Sequence, residues 1–166
     1  MQKRTFKHFI AILFIAAFVI LTSGKMLALY ILAGFNVALL TFNLLVRKSL
    51  AFKPWFLSKF NIFSANFSRE FEVEIPADLA FDKILEVVAE SGFKLARADK
   101  DKLEILAIST TSWKSWGENI YFKIEENAGQ TLVRFDSAAI FGMYTWGKNE
   151  DNYSVFFEKL EDSFTI

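Results

Sequence analysis

Two short runs of this chain combine an aromatic ring, a glycine, a charge and an amide. Trp116–Asn119 reads WGEN and Trp146–Asn149 reads WGKN, 30 residues further on. They differ where the acid Glu118 gives way to the base Lys148. Such a set offers a flat apolar platform, a close backbone approach, an acid or base, and an amide for hydrogen bonding. It could clamp a polar ligand or partner. It could equally be structural, with each ring buried as an anchor, Asn149 capping a helix, and Glu118 paired with Lys148. The structural alternative is the preferred expectation, with Trp113, Trp116, Glu118, Trp146, Lys148 and Asn149 as the candidate binding patch.

Other chemistries are excluded by composition. The chain has no cysteine, and its one histidine, His8, stands ahead of the first apolar run. A His/Cys metal cluster or a histidine-based triad in the C-terminal part is therefore ruled out. The seven glycines are scattered, so no glycine-rich phosphate loop exists. Nothing singles out lysine or carboxylate catalysis. No cofactor and no enzymatic activity are expected.

The elements that would hold the patch follow from periodicity. Phe67–Ile75 alternates, with Phe71, Val73 and Ile75 on one face and Glu70, Glu72 and Glu74 on a solvated one, which predicts a strand. Pro76 opens a helix over Ala77–Ser91 with an apolar stripe of Phe81, Ile84, Leu85 and Val88, and Gly92 stops it. Strands are expected at Phe93–Ala98, Leu103–Ser109, Asn119–Glu125 and Thr131–Ser137. A last helix, Glu150–Ser163, would bury Tyr153, Phe156, Phe157 and Leu160. The fold class is thus α+β, a β-α-β-β-β-β-α domain whose antiparallel sheet is packed by two helices. A hairpin centred on Ala128 sets Asn119 opposite Ser137 and gathers both WG runs at one end of the sheet.

Charge divides the chain near Asn66. Residues 1–66 carry eight Lys/Arg and no acid, for a net +8, and residues 67–166 carry a net −8. Phe9–Gly24 and Met26–Val46 are uncharged runs separated by little more than Lys25. They predict a two-helix transmembrane hairpin over residues 1–46, the second run comfortably long enough and the first only just. Residues 47–66 form a basic, aromatic linker. In it Trp55, Phe56, Lys59, Phe60 and Phe63 are spaced as one helical stripe, suited to the bilayer interface, and an irregular linker packed on the domain is the alternative. Residues 67–166 are the acidic domain. Basic residues flank both ends of the hairpin, so the positive-inside rule puts both termini and the domain in the cytoplasm, at an inner membrane. Asn36 and Asn43, seven apart in the second run, call for partners on a neighbouring helix or in water, and packing of the two hairpin helices is the preferred expectation.

The element order over about 100 residues resembles one half of the TATA-binding-protein-like fold, and more loosely the helix-grip domains, in which a terminal helix packs across a curved sheet. The DNA-binding members are basic where they meet phosphate. A net −8 domain would be repelled, so no nucleic acid is expected. The stretch Ser115–Asn152, with its SWGEN and WGKN runs, is similar to small bacterial membrane proteins that carry such a domain after a transmembrane hairpin. That resemblance implies no set activity. The expected partners are the lipid bilayer and a membrane or cytoplasmic protein. The expected role is a membrane-anchored, non-catalytic binding or assembly module, and the alternative is a membrane-proximal carrier of an apolar ligand such as a lipid.

Overall fold

The computed structural model describes Ile15, Ala17, Phe18, Leu21, Thr22, and residues 25–127 and 130–164. The chain forms two compact units that divide between Val46 and Arg47.

The first unit contains helix α1, Lys25–Val46. At about 1.5 Å per residue a helix of this length matches the roughly 30 Å hydrocarbon core of a bilayer. Met26–Val46 has a mean hydropathy of 2.0 and is largely exposed. Two of its polar side chains are satisfied within the helix: Asn36 Nδ2 donates to the Leu32 carbonyl at 2.8 Å and Thr41 Oγ1 to that of Val37 at 2.8 Å. The partner expected for Asn36 on another helix is thus supplied by its own preceding turn. Among the described residues this is the one helix long and apolar enough to cross a membrane, in place of the expected two-helix hairpin. The first run, Phe9–Gly24, lies outside the described residues apart from five positions. Its 16 residues also fall just short of the roughly 17–25 that a span takes.

The second unit is an α+β domain with a five-stranded antiparallel sheet. After a 3-10 turn at Leu50–Phe52 and a short helix α2, Lys53–Leu57, come β1 (Asn66–Val73), α3 (Ala77–Glu90), β2 (Lys94–Asp99), β3 (Glu104–Ile108), β4 (Glu118–Asn127), β5 (Gln130–Ala139) and α4 (Lys148–Phe164). Each expected element of the domain is present, with ends shifted by at most two residues. The sheet order is β1-β5-β4-β3-β2, so α3 carries the chain from one edge to the other. Helix α3 ends where expected. Gly92, at φ +73°, bends the chain back so that its N–H reaches the Ala89 carbonyl and the Phe93 N–H reaches that of Val88. The β4–β5 register differs by one residue from expectation: Asn119 faces Ala138, not Ser137. Asn127 pairs with Gln130, and Ala128, the expected centre of the hairpin, lies outside the described residues.

One face of the sheet packs on α3 and α4. Ile105, Ala107, Ile120, Phe122, Ile124, Val133 and Phe135 meet Phe81, Ile84 and Val88 of α3 and Phe156 and Leu160 of α4. Rings fill the space between: Phe122–Phe156 centroids are 4.7 Å apart, Phe135–Tyr153 5.3 Å, and Phe71–Phe157 5.5 Å.

The opposite face is also covered. Leu106, Asn119, Tyr121, Asp136 and Ala138 alternate onto it and are buried. Their cover is the segment from Arg47 to Ala65. Phe56 is fully buried, Lys53 Nζ lies 5.7 Å from the Tyr121 ring centroid, and α2 packs on β5. The segment then returns to the sheet: Gly142 N–H donates to the Phe63 carbonyl at 2.8 Å and Ala65 N–H to that of Gly142 at 2.9 Å. The single helical stripe expected here does not form. Pro54 does sit in the first turn, but the helix stops at Leu57 and Ser58 is extended (ψ 134°). Phe60 and Phe63 thus leave the face that carries Phe56. Phe56 covers the sheet, Trp55, Lys59 and Phe60 are exposed, and Phe63 is half-buried. Leu106, Tyr121 and Ala138 on the back of the sheet need cover, and the segment with Phe56 supplies it.

Candidate binding site at the loop end of the sheet

Antiparallel pairing brings the WG runs together. Ile108 faces Asn119 and Glu118 faces Ala139. The β3–β4 loop and the β5–α4 loop therefore leave the same end of the sheet. In the first loop, Ser112 and Ser115 exchange backbone hydrogen bonds at 3.0 and 3.3 Å, which places Trp113 at a tight tip. Gly117 lies at φ +99°, where a Cβ would come within 3.2 Å of the Ser109 carbonyl and 3.3 Å of Arg47 Nη2. Only glycine suits that position.

The rings expected to be buried are not. Trp113 is 83% exposed, Trp116 58% and Trp146 61%. Tyr144 joins them, half exposed, edge-on to Trp146 at 4.8 Å. Thr111, Trp113, Lys114, Trp116, Phe141 and Tyr144 line an open groove of about 530 Å³. Trp146 is also held at φ +51°, a left-handed conformation that costs a side-chain-bearing residue roughly 1–2 kcal/mol.

The amides and the acid of the two runs, not the rings, anchor this end. Glu118 is fully buried. Its carboxylate accepts hydrogen bonds from the Ser109 and Ser115 hydroxyls and, at 3.1 Å, from Asn152 Nδ2. Its own N–H donates to Ser109 Oγ at 2.8 Å. These are its partners in place of the expected Lys148, which lies half-buried at the start of α4. Asn149 is not the helix cap, because α4 already begins at Lys148. It is buried instead, accepting from Ser137 Oγ at 2.9 Å and donating to the Ala65 carbonyl at 3.2 Å. Asn119 donates to the Tyr121 hydroxyl at 3.0 Å. The nearby exposed ion pair is Lys114–Asp151, at 2.7 Å.

Three groups outside the candidate set shape this end. The Arg47 guanidinium rests over Gly117, and burial lowers its pKa while the charges of Glu118 and Tyr121 act the other way. Burial raises the Tyr121 pKa well above its ordinary value. Asn152, on α4, holds Glu118 from the helix side. Arg47 had a sequence signal as the first charge after the apolar run. Asn152 had none, since a helix-face amide reads as a surface residue.

Glu118 is enclosed by its donors, and the rings turn outward. Among the described residues no group of three or more His, Cys, Asp or Glu stands close enough to hold a metal ion. Fold and site together define an α+β domain with aromatic rings packed between its sheet and helices and an aromatic loop end. No family model and no curated protein matches the sequence. Among solved structures the chain is similar to Ara h 8.0201, with 9% identity and a TM-score of 0.46 over 60% of this chain and 97% of that one. It is also similar to TTHA0849 from Thermus thermophilus, with 10% identity and a TM-score of 0.41 over 61% and 100%.

Proposed function

We propose that this protein is a membrane-anchored, non-catalytic binding or assembly module. Helix α1 holds it at the bilayer, and the aromatic loop end does the binding, on the cytoplasmic side. The observation that carries this is the exposure of Trp113, Trp116, Tyr144 and Trp146 at one end of the domain. Monomeric domains seldom leave so many large rings in water without a use for them. The alternative, a carrier for an apolar ligand, would lodge the ligand between the sheet and its two helices. The ring contacts of 4.7–5.5 Å that occupy that space support the binding module instead. The net −8 of residues 67–166 argues against nucleic acid as the partner.

The test uses the full chain in a bacterial membrane. The protein should resist an alkaline carbonate wash, and Gly34→Arg with Val37→Arg should release it. A photoreactive benzoylphenylalanine in place of Trp116 should give adducts that the same probe in place of Glu125, exposed towards the opposite end of β4, does not. Loss of the wild-type chain in the wash would overturn the anchor. Identical adducts from both positions would overturn the loop end as the binding surface.

A further inference from the structure

Arg47 is the first residue of the domain, and its guanidinium lies over Gly117, beside Trp116 in the first aromatic loop. A single peptide bond joins it to Val46, the last residue of the apolar helix α1. The chain therefore passes from that helix directly into the end of the domain that carries Trp113, Trp116, Tyr144 and Trp146. Phe60, 91% exposed, stands three residues before Phe63, whose carbonyl is bonded to Gly142 in the second loop. The most exposed rings of the domain thus lie at the end that holds Arg47, its first residue.

We infer that this loop end docks into the phospholipid headgroup layer of the bilayer that α1 enters. The inference rests on the membrane-anchored reading and names the occupant of its binding surface. Tryptophan and tyrosine suit that layer because an apolar ring and a polar N–H or O–H are satisfied there at once. The left-handed Trp146 fits the same role, since it presents its ring outward beside Tyr144 at 4.8 Å instead of folding it into the core. Charge does not drive the docking. The four cations at this end, Arg47, Lys48, Lys114 and Lys148, are offset to a net +1 by buried Glu118 and by Glu150 and Asp151 in the first turn of α4, and Lys114 is already paired with Asp151. Binding through rings depends little on salt or on anionic lipid, unlike binding through a basic patch.

The experiment reconstitutes the full chain in phosphatidylcholine vesicles, with or without lipid brominated on the acyl chain near the headgroup. Single-tryptophan chains keep Trp113, Trp116 or Trp146, with the other three tryptophans replaced by Phe. A fourth chain replaces all four and carries Glu125→Trp towards the far end of β4. Brominated lipid should quench the three loop tryptophans, and aqueous iodide should quench Glu125→Trp alone. The wild-type chain should also lose fluorescence to brominated lipid, so the result does not hang on the variants. Loop tryptophans that stay open to iodide and untouched by bromine would overturn the docking, leaving a soluble partner for the patch. Carbonate resistance, read on the same vesicles, reports the anchor separately. A chain that remains embedded while its loop tryptophans stay in water loses only the docking, and a chain that washes off loses both.

Discussion

Trp116 and Glu118 stand two residues apart and have opposite surroundings. The ring, which looks like core, points to water; the carboxylate, which looks like surface, is sealed beneath Asn152, Ser109 and Ser115. Stability should follow the environment, not the residue type. Trp116→Ala and Trp146→Ala should each cost under about 1 kcal/mol, as exposed substitutions do. Glu118→Ala strands two buried donors, Ser109 and Asn152, with half-buried Ser115, removes the charge facing Arg47, and should cost about 3–5 kcal/mol. Urea unfolding followed by circular dichroism measures all three, and a Glu118→Ala chain as stable as wild type would refute the buried network. Tyr121 gives a pH test. Burial raises its folded pKa above the ordinary 10.0. The folded chain then keeps a phenol proton that the unfolded chain releases, so this contribution is full below pH 10 and is lost as pH rises beyond it. The urea midpoint of the wild type should fall between about pH 9 and 11 more steeply than that of Tyr121→Phe. Parallel curves would show that the phenol is not held neutral.

At the scale of elements, the segment before β1 is the informative one. Phe56 is fully buried against the back of the sheet, so Phe56→Ala should destabilise the domain by about 3–5 kcal/mol. Phe60→Ala, at an exposed position, should change stability by no more than about 0.5 kcal/mol. Equal effects on the thermal midpoint would mean the segment does not pack as described. The sequence could not separate these two rings. A basic, aromatic stretch has the same composition whether it lies in lipid or covers a sheet, and only the apolar back face, with Leu106, Tyr121 and Ala138, decides between them. The strands and helices were legible because their burial is periodic: Phe71 and Val73 alternate with Glu70 and Glu72, and Phe81, Ile84 and Val88 recur at helical spacing. The loop end was legible as a place but not as a surface. Strand pairing alone brings Trp116 and Trp146 to one end. Whether a loop ring turns in or out depends on what else fills the interior, and here Glu118, Asn149 and Asn152 fill it.

At the scale of the whole molecule, charge and hydropathy bear on one question, the proposed path of the chain through the membrane. Met26–Val46 is followed by Arg47, Lys48, Lys53 and Lys59 with no intervening acid. In the folded domain Lys53 is turned inward near Glu104 and Asp136, its pKa lowered chiefly by burial. The positive-inside bias acts during insertion, before that burial exists, so all four cations count towards holding this side in the cytoplasm, and the acids of the domain count little. The chain has no cysteine, so single introduced thiols report sidedness without interference. In intact cells a membrane-impermeant maleimide should label Ser23→Cys, ahead of the span, and spare Asp162→Cys, in the domain. Gln2→Cys then distinguishes one crossing from two. Protection there means that Phe9–Gly24 also spans, as the Lys3, Arg4 and Lys7 cluster before it favours. Labelling means that α1 crosses alone. Labelling of Asp162→Cys would put the domain outside the cytoplasm and reverse the proposed orientation.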